Sequence, residues 1–167
     1  MVRKVQTFTG QAGYRSQLER ARRFLERAEA IPGFAELEFQ DMMWAFFQNC
    51  WHVKDWIDND ENVPKAMRSS IVKMALASPA LKACEQLCNG TKHFGQKRKK
   101  RRNNKPPATQ KYIETTVYSE HADMDCIVDN GAGKEVSGMM LARHCLDEWD
   151  FILKAHNLRA VFGEGAL

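Results

Sequence analysis

Two short segments of the chain combine proton-handling and charged side chains at helical spacing. In the first, His52, Asp55 and Trp56 stand three and four residues apart, so a helix would present them side by side. This arrangement suits a general base, or a ligand, whose imidazole is oriented by a carboxylate. The structural alternative is a histidine satisfied near a helix end, with Asp55 capping a neighbouring helix.

The second segment, Cys-Asn-Gly-Thr-Lys-His, places Asn89, Lys92 and His93 about one turn apart. Polar groups at the end of an apolar helix must be paired or they cost stability. If His93 converges with His52, the two imidazoles form a site for acid–base chemistry. Gly90 would let a ligand or another backbone approach closely. Alternatively, Lys92 and His93 only complement the dipole at the end of the helix.

An unbroken cationic run follows the second segment. Its members are Lys97, Arg98, Lys99, Lys100, Arg101 and Arg102. They account for six of the 25 Lys and Arg residues in a chain of net charge +4, so without them the chain would be slightly acidic. The run could contact about five or six phosphates in a salt-dependent way. A nuclear-targeting signal or a solvated loop without function would have the same composition.

A metal site is a further hypothesis for the histidines. His144 would join His52 and His93 on three separate helices, as in a three-histidine site. The chain has no His-x-x-x-His or Glu-x-x-His pair to support this, and His144 stands four residues before Glu148, where a local ion pair forms readily. We therefore predict no metal and no cofactor.

The cysteines indicate buried thiols rather than disulfides or zinc ligands. They are five in number: Cys50, Cys84, Cys88, Cys126 and Cys145. Four lie in apolar helical context, which is typical of free thiols in a reducing compartment. The chain has no Cys-x-x-Cys pair, which argues against a structural zinc site.

Length and composition predict a globular protein of the cytoplasm. The chain has 167 residues, of which 44% are hydrophobic and 28% charged. We expect no signal peptide, because the N-terminus lacks an apolar core, and no membrane association, because no apolar run approaches the ~18 residues that span a bilayer. The absence of glycine-rich phosphate loops, nucleophile elbows and dinucleotide fingerprints argues against a nucleotide-fuelled enzyme.

The apolar periodicity predicts a mainly α fold, a four- to five-helix bundle with a β-hairpin inserted before the last helix. The predicted helices span residues 14–30, 35–59, 64–76, 79–93 and 137–155, and the hairpin lies within 110–130. We predict a single domain over 13–157, flanked by tails at 1–12 and 158–167. Within this domain, residues 95–108 are expected to form a basic mobile loop, because they carry the cationic run and two prolines.

Residues 35–94 and the final helix resemble the HEPN superfamily. These are small helical-bundle proteins, often dimeric, of toxin–antitoxin and phage-defence systems, and many are metal-independent ribonucleases. Their motif is an arginine, a polar residue, a few variable residues and a histidine near the end of a bundle helix. Asn89 matches the polar residue and His93 the histidine, whereas Cys88 occupies the place of the arginine. The chain is also similar to uncharacterised bacterial and phage proteins.

The resemblance implies an RNA-binding protein and an endoribonuclease. In that mechanism His93 is the general acid or base, His52 is its partner oriented by Asp55, Lys92 neutralises phosphate charge and Asn89 positions it. The cationic run holds the RNA backbone, and a homodimer places two sites across one groove. The alternative is a non-catalytic interaction module, such as an antitoxin, an inhibitor or an assembly subunit with a cognate protein partner, in which the polar clusters fix helix packing.

Overall fold

The computed structural model describes residues 13–92, 109–117, 122–129 and 133–158. Within these ranges the chain forms five helices and three strands, which confirms the predicted mainly α fold with a hairpin before the last helix. The elements are α1 Gly13–Ala30, α2 Glu36–Asn59, α3 Lys65–Ala77, α4 Pro79–Lys92, β1 Thr109–Val117, β2 Ala122–Asp129, β3 Glu135–Ser137 and α5 Gly138–Ala155. In this described part, the helices are all too short or too polar to cross a membrane.

Local side-chain chemistry fixes several of the helix starts. The Ser78 hydroxyl accepts a hydrogen bond from the N–H of Leu81 at 3.3 Å, and Ser137 accepts one from Met140 at 3.0 Å. Each hydroxyl satisfies a backbone donor that has no partner within its own helix. α4 and α5 therefore begin one residue after these serines, and Ser137 caps α5 instead of opening it as the sequence suggested.

The centre of the bundle is α2, which is apolar around most of its circumference. Phe39, Phe46, Cys50, Val53 and Ile57 are all at most 1% exposed. α1 packs along one side of this helix, and α3, α4 and α5 pack around the rest. A helix with so little polar surface is stable only when its neighbours cover it on several sides.

The strands form an antiparallel sheet in the order β1-β2-β3, with Val117 opposite Ala122 at the hairpin end. A register irregularity lies between Gln110 and Tyr112. β1 begins at Thr109, one residue before the predicted start of the hairpin, because its ladder pairing includes Thr109 opposite Asp129. On β2, Cys126 and Val128 are buried against the helices, so the sheet closes one end of the bundle.

The boundaries of the predicted tails and loop are only partly within the described residues. Leu158 is not part of a tail, since it packs against the core and its N–H donates to the Leu153 carbonyl at 2.9 Å. Residues 1–12 and 159–167, and the whole of the predicted basic loop at 95–108, lie outside the described residues.

Candidate functional site

His52 and Asp55 occupy the second half of α2. His52 is partly buried between two core positions, Trp51 and Val53, and it is engaged with a neighbouring group. Asp55 contacts the ammonium group of Lys54, which itself lies 4.9 Å from the centroid of the Trp51 ring. The Asp55 carboxylate is therefore involved in an ion pair at the helix surface, next to a cation–π contact.

The predicted cap from Asp55 to a neighbouring helix is made by a different carboxylate. Oδ2 of Asp60, just beyond α2, accepts a hydrogen bond from the Tyr14 N–H in the first turn of α1 at 3.3 Å. Its other oxygen accepts a hydrogen bond from the Asn62 N–H at 3.0 Å. A carboxylate at this position satisfies an orphan donor and complements the positive end of the α1 dipole.

An open hollow of about 750 Å³ lies where α2 ends beside the start of α1. It is lined by Gly13, Asp55, Trp56, Asn59, Asp60, Glu61 and Asn62. The lining is acidic and amide-rich, and the described residues place no cationic side chain in it. It does not have the electrostatic character that a phosphate site requires.

The second predicted half-site lies on α4. Asn89 is partly buried near the last turn of this helix, and Lys92 is its final residue. His93 and the cationic run are outside the described residues, as is the side chain of Lys92. The packing of α4 against α2 determines which part of α2 lies beside Asn89.

α2 and α4 run in opposite directions along their shared contact. The Cys84 thiol donates to the Phe47 carbonyl at 3.3 Å, whereas Leu87, one turn further along α4, lines a small pocket together with Met43 and Phe47. Asn89 therefore lies toward the start of α2. His52 is nine residues beyond Met43, which is about 13 Å along a helix at 1.5 Å per residue.

His144 lies at the surface of α5. Its side chain is 64% exposed, and Nε2 lies 3.7 Å from Oε1 of Glu148 on the same helix. The predicted local pair is thus confirmed, and His144 is occupied at the surface of α5.

The structure brings together three cysteines that sequence reasoning had treated separately. Cys50 of α2, Cys84 of α4 and Cys145 of α5 have sulfur atoms within 4.8 Å of one another, and each residue is 0% exposed. We call this group the sulfur triangle. The signal in the sequence was that each cysteine falls on the apolar face of a different helix, but spacing alone does not fix helix rotation.

The pKa values of the three thiols in the sulfur triangle are shifted in different directions. Burial favours the neutral thiol of Cys50, but the nearby polar groups of Cys145, Cys84 and Trp149 outweigh burial and lower its pKa. The pKa of Cys84 is raised by burial, and that of Cys145 by the proximity of Cys50.

Comparison of the chain with protein-family models, with curated proteins and with solved structures gave no match. The functional argument consequently depends on the residues and on their arrangement.

Proposed function

We propose that this chain is an HEPN-like RNA-binding protein in which the cationic run is the main contact with the RNA backbone. The observation that carries the proposal is the charge of the sequence that links α4 to β1. α4 ends at Lys92 and β1 begins at Thr109, and these two elements pack against each other. Six successive cations on one connection supply a local attraction for phosphates that the rest of the chain, slightly acidic, does not have.

A ribonuclease activity is the catalytic form of this proposal. His93 would transfer a proton to or from a ribose 2′-hydroxyl or a leaving oxygen, Lys92 would neutralise phosphate charge, and Asn89 would position it. The antiparallel packing of α2 and α4 favours a site built at the end of α4, without His52 and Asp55. The residues of the site are then close in sequence to the cationic run.

RNA binding is tested by fluorescence polarisation of a labelled single-stranded RNA over a range of salt concentrations. Neutralising the cationic run to glutamine should weaken binding and reduce the slope of log K against log salt by about 4 if all six residues contact phosphate. The matched control neutralises six exposed cations elsewhere, at Arg23, Arg27, Lys65, Lys73, Lys82 and Lys134. If the two variants lose RNA affinity equally, the effect depends only on the net charge of the protein, which would contradict the proposal.

Cleavage is tested with the same RNA in the presence of a chelator. Wild-type protein should produce fragments, and His93→Ala should abolish them. His144→Ala removes an exposed histidine that is paired with Glu148, and it should retain full activity. If wild type and His93→Ala give the same background-level product, the protein binds RNA without cleaving it.

The second candidate is a non-catalytic interaction module, and exposed apolar side chains favour it. Phe34, in the turn between α1 and α2, is 69% exposed, and Leu37, in the first turn of α2, is 78% exposed. Neighbouring apolar residues at a surface are typical of a contact with another protein chain. Here the proposed occupant is a second copy of this chain, which sedimentation equilibrium would detect as a dimer that Phe34→Ser with Leu37→Ser dissociates.

The same candidate makes a separate claim about His52. If His52 is structural, the change His52→Ala should lower the melting temperature markedly. Removal of a catalytic histidine, in contrast, often leaves the melting temperature unchanged or raises it. Thermal unfolding of His52→Ala, compared with the exposed control His144→Ala, distinguishes the two roles.

A further inference from the structure

We infer that the sulfur triangle is a binding site for a divalent d10 metal ion such as Zn²⁺, held by Cys50, Cys84 and Cys145. This inference is independent of RNA binding, because it uses residues of the bundle core. Thiolates are the side chains that such soft ions prefer.

The geometry of the triangle is close to that of a bound ion. A metal at the centre of three thiolates with metal–sulfur bonds of about 2.3 Å would set the sulfur atoms about 4.0 Å apart. The three sulfurs already lie within 4.8 Å of one another. Small rotations about the Cα–Cβ bonds are enough to close this difference without moving the helices.

Two main-chain oxygens accept hydrogen bonds from the thiols, and they keep other hydrogen-bond donors when an ion replaces the thiol protons. In the metal-free form the Cys84 thiol donates to the Phe47 carbonyl at 3.3 Å, and the Cys145 thiol donates to the Ala80 carbonyl at 3.5 Å. Both carbonyls lie within or beside α-helices, where backbone N–H groups serve as donors. Loss of the thiol protons therefore does not leave these oxygens unpaired.

The charge balance favours a divalent ion over a monovalent one. Binding breaks the S–H bonds, forms metal–sulfur bonds and releases the protons to solvent, with no change in oxidation state. Two ionised thiols neutralise a divalent ion while the third stays a neutral ligand, and full deprotonation leaves one negative charge. An apolar interior penalises any larger imbalance.

The surrounding side chains hold the three sulfurs in place. The indole N–H of Trp149, which is fully buried, donates to the main-chain carbonyl of Cys50 at 3.1 Å and fixes α5 against α2. The two remaining cysteines, Cys88 and Cys126, are also buried but are not members of the triangle. They are internal controls, equal in chemistry and in burial.

Cd²⁺ is the probe for the test, since its thiolate complexes absorb in the ultraviolet. The full chain, kept reduced with a phosphine, should take up one Cd²⁺, develop the sulfur-to-metal charge-transfer band, release thiol protons and melt at a higher temperature. Cys84→Ala and Cys145→Ala should bind at least about 100-fold more weakly. Cys88→Ala and Cys126→Ala should bind as wild type does.

A measurement on the wild-type chain covers the case in which a core variant fails to fold. X-ray absorption of the wild-type chain loaded with one equivalent of Cd²⁺ should show about three sulfur neighbours around the ion. A Cd²⁺ ion surrounded mainly by oxygen and nitrogen, the absence of stoichiometric Cd²⁺ uptake, or equal Cd²⁺ uptake by wild type and a folded Cys84→Ala variant would each overturn the inference. An RNA-binding defect would have no effect on these readouts.

Discussion

The indole nitrogen of Trp149 lies 3.1 Å from the main-chain oxygen of Cys50, and both residues are completely buried. This hydrogen bond joins α5 to α2 at the level of the sulfur triangle. A buried indole N–H needs an acceptor, and a helix carbonyl with a free lone pair supplies one. The last helix is thereby fixed in rotation as well as in position.

Trp149→Phe should destabilise the protein by about 2 to 3 kcal/mol, because it removes this hydrogen bond and leaves a cavity where the larger ring had been. Urea unfolding followed by circular dichroism measures the change. The matched control is Trp56→Phe, at a partly exposed position beside the acidic hollow, where a loss below about 1 kcal/mol is expected. Equal losses at the two positions would contradict a special role for the indole N–H.

Gln17 of α1 and Asn49 of α2 form a polar pair in which only some of the buried groups are hydrogen-bonded. Gln17 is 2% exposed, and its Nε2 donates to the main-chain oxygen of Asn49 at 3.0 Å and to its Oδ1 at 3.1 Å. Its own Oε1 is buried and has no hydrogen-bond partner within the described part of the chain. The side-chain amide of Gln17 thus has a hydrogen-bonded nitrogen and an unpaired oxygen.

Gln17→Met should consequently change the free energy of unfolding by less than about 1 kcal/mol, since it removes an unpaired oxygen together with the paired amide. Asn49→Ala should cost about 2 kcal/mol, because it removes the side-chain acceptor of a buried donor and the bond from Asn49 Nδ2 to the Ala45 carbonyl. Both are measured by urea unfolding. A larger loss for Gln17→Met than for Asn49→Ala would show that the pair is a net stabilising unit.

Much of the fold was predictable because its signals are local. The spacing of apolar residues located every helix to within a few residues, and Ser78 followed by Pro79 marked the start of α4. The approximate position of the hairpin was likewise predictable.

The arrangement of the candidate sites was not predictable in the same way, because it depends on helix direction and rotation. Asp60, rather than Asp55, caps α1, since only the packed structure shows which carboxylate meets the first turn. The sulfur triangle has the same origin: its three sulfurs are 34 or more residues apart along the chain, and only the register of α2, α4 and α5 brings them together.

Gly138 occupies a position where the usual effect of a glycine-to-alanine change should be reversed. In an open helical position alanine is favoured by up to about 1 kcal/mol. Here a Cβ would collide with the Cys126 sulfur and would lie 2.6 Å from the Cys126 main-chain oxygen. Because β2 cannot move away without losing its contact with α5, Gly138→Ala should cost about 1 to 3 kcal/mol.

Thermal unfolding measures this cost, and Gly133 offers a control of a different kind. Its φ is +77°, and a Cβ added there would have no atom within 4 Å. Asparagine tolerates this backbone conformation, so Gly133→Asn should change stability by less than about 1 kcal/mol. A stabilised Gly138→Ala variant would mean that β2 and α5 are not packed this closely in solution.

Cys126 should make stability fall at alkaline pH. Burial, assisted by the nearby Asp125 carboxylate, raises the pKa of its thiol from 9.0 to about 12. Between these two values the unfolded chain releases the proton and the folded chain retains it, so a rise in pH favours unfolding. The loss should approach about 1.4 kcal/mol for each pH unit above 9. Below pH 9 both the folded and the unfolded chain hold the proton, so Cys126 does not make the free energy of unfolding depend on pH.

Urea unfolding at several pH values between 8 and 11 tests this. Lysines and tyrosines also titrate in this range, so the informative quantity is the difference between wild type and Cys126→Ala, which should shrink steadily as pH rises above 9. Val128→Ala truncates a neighbouring buried side chain on β2 that does not titrate, and its difference from wild type should stay constant across the range. Parallel curves for wild type and Cys126→Ala would mean that the thiol is exposed to water in the folded protein.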